Sequence, residues 1–372
     1  MNSPPPDYAR LIESALSASA PTLDFSAERP DTLQVERGLI LPLALLGQPR
    51  EILLTCAQRL LTTSPEDVTI IDPRTHRRPA YRGLLLYATL LGLNVGDHGL
   101  PDWPHHLRPW IDSLPNLPDF PRDDTLPASW GAQATEAAWN ALALHVAAAI
   151  YNQPTWREAA HQTFHRFARA QQPAGPFLRA TASDNPETHW YHELVLLHAV
   201  ASYAAQANDP TLATAVARNA AFHMAETQPD HATHQPWALH AFAQHPDTRP
   251  LADQLLHAAT MVGGAGGSPA GGLTSILLAD ALYSLQLSRS TSMTTPNQTT
   301  LDPTFLSILR CPLTRSPLRQ EGQFLVAEVG GLRYPLRDGF PVMLIEEAEL
   351  PEGVETLDDF RRKFAAQIPA RP

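Results

Sequence analysis

With 372 residues, 44% of them hydrophobic and 17% charged, the chain has the composition of a protein that can build its own core without covalent staples. A net charge of -11 leaves no global basic field to gather a phosphate backbone, so nucleic-acid binding is not expected. No uncharged apolar run approaches the ~18 residues that a membrane span requires, and the start Met1-Asn2-Ser3-Pro4-Pro5-Pro6 lacks the basic and apolar regions of an export signal. Neither membrane insertion nor secretion is expected. Cys56 and Cys311 lie in different regions and suggest no disulfide framework, which fits a reducing compartment, and cytoplasm is the expected location. Every cation except Lys363 is arginine, which removes chemistries that need a deprotonated amine.

Helices are expected at residues 8–19, 39–46, 51–62 and 82–93, followed by a Pro-rich, Trp-bearing passage at 101–127. Arg74, Arg77, Arg78 and Arg82 form the one notable basic cluster and read as a solvated loop broken by Pro73 and Pro79, with an anion-binding role as the alternative. From residue 133 to about 287 the pattern is all-α, with helices expected at 135–151, 156–170, 189–207, 212–227, 237–244, 251–261 and 273–287. A weak repeat runs through them. Ala141-Leu142-Ala143-Leu144-His145, Leu194-Val195-Leu196-Leu197-His198 and Pro236-Trp237-Ala238-Leu239-His240 each close on a histidine, and Asn152-Gln153-Pro154-Thr155 answers Asn208-Asp209-Pro210-Thr211. Such connectors end one helix and cap the next. The pattern predicts stacked helical hairpins over residues 1–287, as an α/α toroid or an open solenoid. The glycine run at 263–272 has no following Lys-Ser or Lys-Thr and reads as an inter-helix loop.

Within the helical region the densest polar cluster is Thr188-His189-Trp190-Tyr191-His192-Glu193. His192-Glu193 opens like a zinc-protease motif, but Leu196 stands where the second histidine must be. His161 and His165 share a helical face with Glu158 one turn earlier, yet the second Glu-x-x-His copy of a di-iron bundle is missing, so no metal and no cofactor are expected. If these ends ring a cavity, His189, Tyr191, His192 and Glu193 are the candidate catalytic groups. Trp130, Trp190, Trp237 and His234 would then be the substrate-binding platform. That arrangement suits a cyclic substrate and gives the alternative reading of a carbohydrate-active lyase or hydrolase. The general plan resembles α/α-toroid polysaccharide lyases and hydrolases.

Residues 288–300 are Ser/Thr-rich and read as a linker. Beyond them, Gln323 to Val329 reads as a strand, Gly330-Gly331 as a two-residue turn, Leu332 to Leu336 as the returning strand, and Asp338-Gly339 as a second turn into Phe340 to Ile345. Phe324, Leu325, Val326, Tyr334, Val342 and Leu344 form the expected core of this module, which spans 301–350, and 351–372 reads as a charged tail with a short helix at 357–364. Leu306-Ser307-Ile308-Leu309-Arg310-Cys311-Pro312 together with Tyr334-Pro335-Leu336-Arg337-Asp338-Gly339-Phe340-Pro341-Val342-Met343-Leu344 resembles the small activator subunits of tRNA and translation-factor methyltransferases, the Trm112-like or YcaR-like family. The resemblance implies a non-catalytic module that docks on a methyltransferase or another protein by extending a sheet. It also implies a four-cysteine zinc knuckle. Here Thr314 stands where the second cysteine belongs, and residues 328–332 hold none, so a zinc-free version is expected. The fold class expected overall is mainly α with a small C-terminal β-meander, and the function expected is that of an interaction or scaffold protein.

Overall fold

A computed structural model of the chain describes residues 6–19, 39–62, 82–114, 125–182, 184–229, 235–263, 269–294, 306, 309–322, 324–337, 340–351, 353–354 and 356–368. The chain forms two compact units, Met1–Ser288 and Arg289–Pro372, each with its own apolar core. Mainly α with a small antiparallel sheet near the C-terminus is the fold class observed.

The first unit contains α1 (Tyr8–Ser19), α2 (Ile40–Leu45), α3 (Arg50–Thr62), α4 (Arg82–Val95), α5 (Trp103–Asp112), α6 (Gly131–Ile150), α7 (Pro154–Ala170), α8 (Pro186–Ala207), α9 (Pro210–Glu226), α10 (Leu239–Gln244), α11 (Arg249–Gly263) and α12 (Pro269–Thr294). Helix α5 sits in the passage read only as Pro-rich; Pro104 falls in its first turn, where a missing N–H costs nothing. Three later helices begin two or three residues before their apolar periodicity does, because Pro154, Pro186 and Pro210 occupy the first helical position. Asn185 and Asp209 cap two of them through side-chain oxygens that accept from Thr188 N, and from Thr211 N and Leu212 N. Helix α12 runs on to Thr294, into the stretch read as linker. The basic cluster at Arg74, Arg77 and Arg78 and the glycines at 264–267 lie outside the described residues.

Helix α4 is apolar on nearly every side and buried from Gly83 to Leu93, as a helix at the centre of a layered bundle must be. It packs on α2 and α6, and α6 packs in turn on α7 and α8. In the midst of this apolar packing sits one ionisable cluster. Asp280 on α12 is wholly enclosed, and its carboxylate accepts from Tyr87 on α4, from His198 Nε2 on α8 at 2.9 Å and from Ser202 Oγ at 2.5 Å. Ala238 N donates to His198 Nδ1 at 2.9 Å, which leaves the ring proton on Nε2, facing Asp280. Ala238 holds a left-handed φ of 59° at the start of α10, a conformation that disfavours a side chain and aims its N–H at the imidazole. Burial alone would raise Asp280, but the His198 hydrogen bond, the two adjacent imidazoles and Ser202 outweigh it and hold the carboxyl below its ordinary range. Two histidines of the sequence repeat, His198 and His240, meet here with ring centroids 4.7 Å apart.

The second unit carries a meander, β1 (Leu318–Glu321), β2 (Phe324–Ala327), β3 (Arg333–Arg337) and β4 (Phe340–Pro341), antiparallel in chain order. Two expectations change. Strand β2 stops at Ala327, whose N–H bonds Leu332 O, so the hairpin loop is Glu328 to Gly331 and the diglycine is its second half. The core also reaches beyond residue 350: Phe360, on α13 (Leu357–Lys363), is fully buried among Leu325, Leu332 and Tyr334. Gly330, at φ 80°, makes room for that ring, since a Cβ there would meet Phe360 Cζ at 2.3 Å. Leu325, Val326 and Tyr334 are core residues as expected, whereas Leu344 is 55% exposed.

Because three buried donors converge on one carboxylate, Asp280→Ala is expected to cost about 3–5 kcal/mol, as the loss of one partner from a buried polar cluster does. Asp280→Asn keeps one acceptor oxygen and should cost less. Denaturant melts of the two variants check this, and an Asp280→Ala protein as stable as wild type contradicts the role given to the cluster.

Candidate functional site

The cluster at the start of α8 divides between core and surface. Asn185 and Pro186 fix the helix start, which puts His189, His192 and Glu193 on one face at i, i+3 and i+4. Glu193 is completely enclosed: Oε1 accepts from Leu178 N at 2.5 Å, and Oε2 from Phe177 N at 2.9 Å and Asn219 Nδ2 at 2.8 Å. Its carboxylate thus ties α8 to the segment before it and to α9. Burial pushes it up to about 7 against the pull of those three donors. His189 is buried, while Trp190, Tyr191 and His192 are half-buried. The His192 ring lies on Gly131 at the start of α6, where a Cβ would come within 2.5 Å of it. Among the described residues, His189 Nδ1, His192 Nδ1 and His223 Nε2 are buried ring nitrogens without a hydrogen-bond partner. Desolvation lowers all three imidazoles, His192 to about 4 and His223 to about 3, and the charge on His189 pushes the other two down further.

The residues assigned to substrate binding do not share one setting. Trp130 is half-buried at the end of a short 3-10 turn before α6. Trp237 is 1% exposed and packs its ring on Trp139 at 6.0 Å and His198 at 5.5 Å, so it belongs to the core beside Asp280. His234 lies outside the described residues. Sequence reasoning passed over Asp280 and Ser202, although a lone acid within Leu277-Leu278-Ala279-Asp280-Ala281-Leu282 is a signal that a buried partner must exist.

A second group lies on the other side of the hairpin joint. His161 and His165 project from α7 with ring centroids 4.1 Å apart, and His165 Nε2 stands 2.7 Å from Asp209 Oδ2 at the cap of α9. One ligand atom of each residue falls within 4.8 Å of the others. Asp209, the third member of this group, belongs to a connector that the sequence marks only as a cap.

In the second unit, the knuckle expected from the family resemblance is closed by other means. Cys311 Sγ lies 3.1 Å from the Tyr334 hydroxyl and accepts from Thr314 N at 3.3 Å, and Thr314 Oγ1 meets Ser316 Oγ at 2.9 Å. One thiol among hydroxyls does not fit a tetrathiolate zinc site. The Tyr334 phenol is raised well above its ordinary value by burial and by the adjacent thiol.

These shifts predict an acid-sensitive helical unit. His145 and His192 are pushed down to about 4, and His223 and His240 to about 3, from an ordinary 6.5. The unfolded chain therefore binds protons that the fold refuses; the stability they contribute is complete above 6.5 and is lost as pH falls through that window. Glu193, raised from 4.5, acts in the opposite sense, contributing stability below 4.5 that is lost as pH rises to about 7. Four imidazoles outweigh one carboxyl, so the melting temperature should fall on acidification from about pH 7 to about pH 4. Circular-dichroism melts across that range check the sign, and a flat or rising profile contradicts it.

The comparisons with known proteins concern the second unit alone. The family model described as Trm112p-like protein matches residues 302–339. A UPF0434 protein of Vesicomyosocius okutanii is 48% identical over 54 residues, 14% of this chain and 92% of the relative. One from Gluconacetobacter diazotrophicus is 48% identical over 59 residues, 15% of this chain and 92% of the relative, and one from Bradyrhizobium diazoefficiens is 49% identical over 53 residues, 14% and 82%. No solved structure matches the chain. The matched stretches cover 82–92% of these relatives, so through its C-terminal module the chain belongs to the Trm112p-like, UPF0434 family.

Proposed function

We propose that the chain is an interaction protein whose C-terminal module docks on a protein partner, and that the partner class is a methyltransferase. The observation that carries this is the surface left by the meander. Its outer strands are β1 and β4, and just past β4 the side chain of Leu344 stands 55% exposed, although its neighbours Val342 and Met343 are half-buried. An outer strand with an apolar side chain beside it can extend a partner's sheet. A methyltransferase is the partner that the family resemblance implies, and the two free cysteines support a cytoplasmic setting. No described helix is long and apolar enough to cross a membrane.

For the helical unit, closure into a toroid is supported by its ends. Helix α1 packs on α11, and Tyr8 donates to Asp253 Oδ1 at 2.8 Å across most of the unit's length. The unpartnered nitrogens of His189, His192 and His223 favour a second reading, in which that neighbourhood receives a ligand offering hydrogen-bond donors, such as a sugar ring. Glu193 argues against hydrolysis or elimination there, since both its oxygens are spent on backbone and amide donors. If this reading holds, a panel of oligosaccharides should raise the melting temperature of the full chain in a way that His192→Ala abolishes. No shift with any of them removes it.

The docking proposal is tested on the full-length chain. Leu344→Asp should leave stability within about 0.5 kcal/mol of wild type, as at other exposed positions. It should also remove a methyltransferase from the proteins that co-purify with the wild type and are identified by mass spectrometry. A methyltransferase retained by Leu344→Asp places the interface elsewhere, and a wild-type preparation that recovers none sinks the partner class.

A further inference from the structure

We infer that His161, His165 and Asp209 form a binding site for a divalent transition metal at the joint between α7 and α9. The three residues come from one helix, α7, and from the cap of another, α9, whose geometry is independently fixed. His161 and His165 are four residues apart on α7, which places their rings one above the other on the same face, and the centroids stand 4.1 Å apart. Asp209 cannot swing freely, because Oδ1 accepts from Thr211 N at 2.9 Å and Leu212 N at 3.1 Å as the cap of α9. That anchor turns Oδ2 toward α7, where His165 Nε2 meets it at 2.7 Å.

The donor atoms lie within 4.8 Å of one another, a separation from which a small rotation of the exposed His161 brings three ligands onto one face of a metal ion. Two imidazoles and one carboxylate select zinc, cobalt, nickel or copper over magnesium or calcium, which take oxygen ligands. Because His161 is exposed, the ion would keep open positions toward solvent. The neighbouring surface says what could occupy them. An open groove of about 450 Å³ runs from His165 along Arg169, Thr211, Thr214 and Arg218, so an anionic ligand bound there would meet two guanidinium groups and reach the ion.

A chain with 16 histidines can bind metal adventitiously, so the test must be site-resolved. Full-length protein stripped with a chelator is titrated with cobalt(II), followed by its visible ligand-field absorption, and then with zinc by competition. One equivalent per chain is expected, with tetrahedral or five-coordinate bands displaced by zinc. His161→Ala and Asp209→Asn should each weaken binding by about tenfold or more. Asp209→Asn keeps the Oδ1 acceptor that caps α9, and His161 is exposed, so the melting temperatures of both apo variants should match wild type and loss of binding cannot be unfolding. Absence of a ligand-field band, or affinity undiminished in either variant, overturns the site. Loss of the equivalent in Cys311→Ser would overturn it too, by assigning the ion to the C-terminal module.

Discussion

The helical unit depends on one enclosed carboxylate. Asp280 is the only acceptor on α12 for groups reaching it from α4 and α8 among its described hydrogen bonds, and through His198 it engages the backbone of α10. An apolar interface between these helices would tolerate sliding, since leucine packs on leucine in several registers. A carboxylate with three aligned donors has one. The same requirement explains the left-handed Ala238: a residue that disfavours that conformation is kept there because its N–H fixes the tautomer of His198. The cluster therefore selects the arrangement more than it strengthens it, which is the role for which buried polar groups are best attested.

Glu193 repeats the device on a smaller scale. It joins α8 to the segment carrying Phe177 and Leu178 and to Asn219 on α9, and it too meets only donors. Two buried carboxylates thus fix α8, Glu193 near its start and Asp280 further along at His198 and Ser202, and the imidazoles of His189 and His192 are held by a frame that they do not build. Side chains set by such a frame, with ring nitrogens left unsatisfied, are free to serve a ligand without weakening the fold.

Much of the architecture was legible in the sequence because helix periodicity and Pro-Asn-Asp connectors are local signals. Helix α1 has the very bounds its periodicity gives, and α7 and α8 differ only by the proline turns that precede their apolar stripes, while α9 also ends one residue earlier, at Glu226. What was not legible is what depends on distance. His198 could be seen as a repeat mark, but its partner Asp280 is 82 residues away. Trp237 reads as an exposed platform from its place at a helix start, and only the packing of Trp139 across it shows a core residue. Asp209 reads as a cap, and nothing local announces that its second oxygen faces His165 on α7, 44 residues earlier in the chain.

The C-terminal module shows the same separation between pattern and contact. Its β2–β3 hairpin follows from the diglycine and the alternating apolar residues around it, while the knuckle motif that makes it recognisable is closed without a second cysteine. Cys311, Thr314, Ser316 and Tyr334 close the knuckle with thiol and hydroxyl contacts, and Ser316 Oγ reaches on to Val329 N in the β2–β3 loop. Hydroxyl contacts of this kind are individually weak, about 1 kcal/mol each. Phe360 supplies what they lack: a large ring inserted against Gly330 and the buried faces of β2 and β3. Phe360 is buried in the core of the sheet with Val354, Phe364 and Ile368 packed against that core, so the helix that follows the sheet is part of the domain rather than an appendage to it.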